Sequence, residues 1–284
     1  MDLFFDLLRS VIYGVIEGIT EWLPISSTGH MILAEQVLKF SFSAEFMEMF
    51  RVVIQLGAIL AVVVMYFKKL WPFCVDNGRD SGLAKHVRWP VMRLWFKIIV
   101  ACLPAAVLGL ALDDWIDAHF YNSVVVAVML IVYGIAFILI ERRPRVPTTT
   151  KLSRITYRQA LIVGAWQVLA LIPGTSRSGS TIIGGLLCGM SRACASQFTF
   201  FLAIPVMAGA SLLKVVKFVV GGSVMTGTEV AVLAVGCVVA FGMSLAAIRF
   251  LMDYVKRHDF KFFGAYRIVL GIIVLAVAAA TAIF

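Results

Sequence analysis

The feature that most constrains this chain is a series of apolar runs, separated by short polar intervals, along nearly its whole length. About 20 apolar residues is the length at which an α-helix crosses the hydrocarbon of a bilayer. Six runs reach it, near 46–67, 92–112, 122–140, 198–219, 229–250 and 265–284. With 61% of the 284 residues hydrophobic and 14% charged, no soluble domain of useful size fits between them. The expected fold is an all-α polytopic membrane protein forming a single membrane domain over 1–284. The opening MDLFFDLLRS places two aspartates before its first arginine, so a basic secretory leader is not expected.

A net charge of +9 raises the question of a nucleic-acid partner, but its distribution excludes one. Lys and Arg concentrate in 68–97 (seven), 141–158 (six) and 251–267 (four), between apolar runs. The intervals 112–122 and 220–229 carry acids and no Lys or Arg. This is the positive-inside pattern, and it marks the three basic loops as cytoplasmic. Lys214 and Lys217, at the expected outer end of their span, fit the pattern less well and are read as snorkelling to the interface. Five cysteines, at 74, 102, 188, 194 and 237, show no CxxC spacing and are read as free thiols.

Two further apolar regions, about 3–40 and 156–190, are broken near the middle by PISSTGH and PGTSRSGST. Each half is short for a span but suits a re-entrant helical hairpin; a pair of kinked spans is the alternative. Gly14-x-x-Glu17 before Pro24 resembles Gly164-x-x-Gln167 before Pro173, and Phe46 to Gly57-Ala58 aligns with Phe198 to Gly209-Ala210. One hairpin plus three helices therefore occurs twice, about 1–141 and 155–284, joined by a basic linker at 141–155. Three spans per repeat is an odd number, so the two repeats are expected to be inverted and their broken segments to meet near the midplane.

Ionisable groups at membrane depth are costly, so they mark a functional site by default. In PGTSRSGST, glycines allow close backbone approach, a half-helix N-terminus offers amides, and Arg177 adds a fork matched to phosphate oxygens. Thr175, Ser176, Ser178 and Thr181 supply hydroxyls; as plain helix caps they would account for one of these, not for a buried arginine. In EGITEWLPISSTGH, Glu17 and Glu21 lie one helical turn apart and share either a proton or a divalent cation, Mg or Ca. Ser26, Ser27 and Thr28 follow Pro24, and His30 is placed to act as acid or base or to orient a serine. Together the segments suit phosphoryl transfer on a lipid-linked phosphate.

EGITEWLPISSTGH and PGTSRSG, with FRVVIQLGAILAVV between them, closely resemble the bacterial undecaprenyl-diphosphate phosphatase family of the BacA type, over essentially the whole chain. The resemblance implies hydrolysis of undecaprenyl diphosphate to the monophosphate carrier of cell-wall synthesis, divalent-metal dependence and bacitracin resistance on overproduction. It also implies a site open to the outer face of the bacterial inner membrane. By the same resemblance Glu17 and Glu21 form the acidic, metal-binding motif, Ser27 and His30 the nucleophile and base, and Arg177 with Ser176 and Ser178 the phosphate-binding motif. Gln55 keeps the pattern and is expected to orient a site group, whereas Arg51 stands where the family pattern carries an acid. Expected partners are the polyprenyl diphosphate, the bilayer and a second copy in a homodimer.

A polyprenyl-phosphate transporter or flippase is the competing reading, since inverted repeats and broken helices are transporter architecture. A second lipid-phosphatase superfamily, whose PSGH motif looks like STGH, needs a histidine soon after its SR pair, and none follows Ser176-Arg177 before His258. Asp113, Asp114 and Asp117 are read as a solvated outer loop, and His86, His119 and His258 as loop residues.

Overall fold

The computed structural model describes residues 3–75, 85–143 and 146–283, with the side chains of 113, 114, 117, 282 and 283 excepted. Among the described residues every named element is helical: α1 Leu3–Thr20, α2 Ser27–Val37, α3 Ala44–Val53, α4 Gln55–Met65, the single turn α5 Phe67–Leu70, α6 Trp89–Phe120, α7 Ser123–Arg142, α8 Tyr157–Val168, α9 Arg177–Leu187, α10 Arg192–Val220, α11 Gly227–Tyr254 and α12 Lys261–Ile283. Six helical stretches are long and apolar enough to cross a membrane: Ala44–Met65, Trp89–Leu112, Ser123–Arg142, Arg192–Val220, Gly227–Tyr254 and Lys261–Thr281. They correspond to the six runs expected from sequence, and the chain is a multi-pass membrane protein.

Both broken regions fold back on themselves. The hydroxyl of Tyr13, midway along α1, donates to the carbonyl of Leu38 at 3.1 Å, so the far end of α2 lies beside the middle of α1. In the second region Gln159 at the start of α8 donates to the carbonyl of Cys188 at 3.0 Å, just past the end of α9. Each therefore forms a helical hairpin and not a kinked span. Ser26 and Ser176, the residues preceding α2 and α9, both have left-handed backbone, φ +73° and +70°.

Around the hairpins, α1 packs along α11 and α8 along α6; α2 touches α12 and α9 touches α7. The α7–α12 and α3–α10 contacts link the two halves directly. Backbones approach closely at several glycines. A Cβ on Gly134 would lie 2.6 Å from the Gly264 carbonyl, and one on Gly264 would lie 2.7 Å from the Gly134 carbonyl. Without competing hydrophobic drive inside lipid, such backbone contact is how membrane helices gain van der Waals energy.

Four expectations need correction. The first long run is not one straight span: its helix breaks at Ile54, between α3 and α4. The interval 112–122 is not an open loop, because α6 continues to Phe120; His119 is helical and stacks on Trp115. Three aspartates over one turn did not stop the helix, since nothing there breaks its geometry; their side chains lie outside the described set. Lys214 does not simply snorkel but pairs with Glu48 on α3 at 2.5 Å. Arg267 is not a loop cation: it lies inside α12 and is fully buried.

Gly57-Ala58 and Gly209-Ala210 align in sequence but differ in surroundings. A Cβ on Gly57 would lie 2.0 Å from the Cys237 carbonyl, whereas nothing lies within 4 Å of one on Gly209. Gly134→Ala is accordingly expected to lower stability by about 1–3 kcal/mol through overpacking, while Gly209→Ala leaves it unchanged or slightly raised; thermal unfolding in detergent measures both.

Candidate active site

The two hairpin tips meet. At each, a serine caps the half-helix that follows: Ser26 Oγ accepts from the Gly29 amide at 3.4 Å and Ser176 Oγ from the Gly179 amide at 3.2 Å. Both caps sit in a region of backbone that non-glycine residues rarely adopt. The first amides of α2 and α9 have no carbonyl one turn earlier, which leaves a partial positive charge at each tip.

Glu21 connects the tips. Its Oε1 accepts from Arg177 Nε at 3.2 Å and Nη2 at 3.0 Å, while its Oε2 accepts from Ser27 Oγ at 3.1 Å. Arg177 also donates through Nη1 to the Thr199 carbonyl at 3.0 Å, and its guanidinium carbon sits 5.8 Å from the centre of the Trp22 ring. N–H donors remain to spare on the guanidinium. Ser178 Oγ donates across the junction to the Leu23 carbonyl at 3.3 Å. The expected pairing of the first segment with the second is therefore present, carried by a buried carboxylate.

Glu17, one turn before Glu21 on α1, is buried with Oε1 lacking a hydrogen-bond partner.

His30 bonds to Ser26 and Tyr266. Its Nδ1 lies 2.7 Å from the Ser26 carbonyl, which can only accept, so Nδ1 carries the proton. Nε2, 2.8 Å from Tyr266 Oη, then accepts from that hydroxyl, with the two rings stacked at 12°. The partner of Ser27 is thus Glu21 and not His30.

The remaining hydroxyls divide. Thr181 Oγ1 donates to the Arg177 carbonyl at 2.8 Å and accepts from Thr199 at 2.9 Å, so it braces the arginine from behind. Ser176 and Ser178 hydroxyls lie 3.1 Å apart beside Arg177. Thr175 is buried with its Oγ1 unpartnered, and Thr28 is half-buried on the first turn of α2. Gln55 opens α4 at the break after Ile54; no hydrogen bond joins it to either tip among the described residues. Arg51 pairs with Glu35 at 2.6 Å, between α3 and α2.

Sequence reading missed Trp22, Tyr266 and Arg267. The signal for Arg267 was available: an arginine followed by IVLGIIVL lies inside an apolar run, where an ionisable residue is functional by default. Counting it with the basic stretch 251–267, which overlaps the start of the run at 265, left it among loop cations.

The profile of the family described as "Bacitracin resistance protein BacA" matches residues 10–273. This chain belongs to that family. Relatives agree over nearly their full length. The undecaprenyl-diphosphatase of Lactococcus lactis subsp. lactis (strain IL1403) is 57% identical over 277 residues, covering 96% of this chain and 97% of the relative. That of Enterococcus faecalis (strain ATCC 700802 / V583) is 56% identical over 275 residues, 96% and 98% respectively. That of Desulfitobacterium hafniense (strain DSM 10664 / DCB-2) is 56% identical over 276 residues, 95% of each.

In this BacA-family site, Arg177→Ala strands a buried carboxylate and is expected to cost about 3–5 kcal/mol of stability. Adding Glu21→Gln to that variant should recover part of the loss. Thermal unfolding of the two single variants and the double reads the coupling.

Proposed function

We propose that this chain is an integral-membrane phosphatase that hydrolyses undecaprenyl diphosphate to undecaprenyl phosphate and inorganic phosphate. The observation that carries the reading is the Glu21 carboxylate, which holds the Ser27 hydroxyl on one oxygen and the Arg177 fork on the other. A hydroxyl aimed by a carboxylate beside a phosphate-binding arginine is a nucleophile's arrangement. Relatives named undecaprenyl-diphosphatase supply the substrate.

In this mechanism the terminal phosphate sits between the tips, against Arg177 and the amide ends of α2 and α9. Ser27 Oγ attacks its phosphorus as the hydroxyl proton passes to Glu21 Oε2. The bond to the bridging oxygen breaks and its electron pair leaves on undecaprenyl phosphate. Water then attacks the phosphoserine, the bond from phosphorus to Ser27 Oγ breaks with release of inorganic phosphate, and Glu21 returns its proton to Oγ. His30 receives the proton of that water once Nε2 leaves Tyr266. Positioning and charge neutralisation supply most of the rate.

A divalent cation, Mg or Ca, would be held by Glu17 and Glu21, chiefly through Glu17, since both Glu21 oxygens already meet Ser27 and Arg177. The orphaned buried oxygen of Glu17 is the hard donor such ions take. No group of three acidic, histidine or cysteine ligands occurs among the described residues. The other positions would fall to diphosphate and water oxygens, the usual arrangement for Mg. When bound, the ion neutralises diphosphate charge.

We further propose the inverted-repeat arrangement. Exchanging α1, α2, α3–α4, α6 and α7 with α8, α9, α10, α11 and α12 turns the α1–α11 contact into α8–α6 and the α2–α12 contact into α9–α7, which supports it. With the basic loops inside, the first hairpin enters from outside and the second from inside; that the site opens toward the outer face of a bacterial inner membrane is what the family resemblance implies. A homodimer would have to pack through the lipid-facing apolar surfaces of the spans. The transporter reading is weaker: a Ser27–Glu21 hydrogen bond is surplus to binding alone, and the relatives' names point to hydrolysis.

Purified protein in detergent should release phosphate from the C55 diphosphate in a metal-dependent way. Ser27→Ala is expected to fall to background, and Glu17→Gln to need more metal for the same rate. Substantial turnover in Ser27→Ala would transfer the attack to water, and no release by the unaltered protein with any divalent ion would return the balance to transport.

A further inference from the structure

Arg267 is fully buried within α12, and among the described residues no carboxylate pairs with it. Its donors go to backbone carbonyls on three separate pieces of chain. Nη1 donates to Pro24 at 3.3 Å, in the first hairpin tip. Nη2 donates to Gly174 and Thr175, both at 2.9 Å, in the second. Nε reaches Leu130 at 3.4 Å on α7, and the guanidinium carbon lies 5.6 Å from the centre of the Tyr133 ring on the same helix. Glycine makes room for it, since a Cβ on Gly179 would lie 3.1 Å from Nη1.

A buried cation without a counter-ion is expensive, and it persists only where other groups hold it. Here the tips' own carbonyls do so, at positions one or two residues before the strained serines Ser26 and Ser176. Turning those carbonyls inward to one guanidinium fixes both loops against a common point. Only a planar fork spans both loops; the single ammonium of a lysine does not.

We propose that Arg267 is the positioning residue that sets the two hairpin tips in register for phosphoryl transfer, hydrogen-bonding to both but to none of Glu21, Ser27 or Arg177. The proposal rests on the site reading above and deepens it.

The test compares kcat and KM for the C55 diphosphate in the unaltered protein, Arg267→Lys, Arg267→Met and Gly179→Ala, with Ser27→Ala and Arg177→Ala alongside. Each is first checked for monodisperse elution and a cooperative thermal transition in detergent. Misplacing the tips by about an ångström is expected to lower kcat about hundredfold in both Arg267 variants, with KM within about threefold because the substrate does not meet this residue. Gly179→Ala keeps the arginine but crowds Nη1, and should lower kcat about tenfold. Restoration of kcat by Arg267→Lys would show that charge alone suffices and overturn the proposal, as would a tenfold rise in KM with kcat retained. Where the Arg267 variants do not fold, Gly179→Ala decides, and kcat within twofold of the unaltered protein overturns it. If Ser27→Ala and Arg177→Ala keep full turnover, the site reading itself has failed. If those two are inactive while the Arg267 variants are fully active, only the positioning role falls.

Discussion

Everything near the site depends on one constraint: a chain that breaks its helix inside a membrane must still satisfy the backbone groups it exposes. At 21–26 and at 172–176 this fold opens its helix into a loop, and it brings these two breaks to the same place. Serine side chains take one amide at each tip. The carbonyls on the opposite side converge on the buried Arg267 guanidinium. Between the tips lie the N-terminal ends of two half-helices, the Glu21–Arg177 pair and several hydroxyls, a setting suited to holding an anionic group away from water.

Glu21 is the second point of convergence. It is reached from its own segment by Ser27 and from the other hairpin by Arg177, 156 positions away along the chain. The neighbouring Glu17 lacks such a partner for Oε1. Two carboxyls one turn apart thus have unlike surroundings, one engaged by an arginine and the other left with an open oxygen. Unlike surroundings are how paired acids come to take different roles.

The scaffold that holds these groups depends on small residues. Gly134 and Gly264 let α7 and α12 touch backbone to backbone, and Gly14 and Gly18 do the same for α1 against α11. Because α12 carries Arg267 and Tyr266, the α7–α12 contact also fixes what reaches the tips. Helix packing and the chemistry of the tips are parts of one arrangement.

The six spans, the two breaks and the chemical types at each break were legible in the amino-acid order, because hydrocarbon thickness demands length and apolarity, and proline, glycine and hydroxyl residues interrupt them. Glu17, Glu21, Ser27 and Arg177 stood out for the same reason: charge and nucleophile in an apolar run. The order of residues could not say that Ser27 bonds to Glu21 while His30 turns to Tyr266, since one helix turn offers either partner to the serine. Nor could it say that Arg267 lies inside the protein, because an arginine near the end of an apolar run reads equally as a loop cation. Spacing along the chain carries local geometry only; which carbonyl meets which guanidinium across more than ninety residues was decided by how α12 packs against α7 and the two tips.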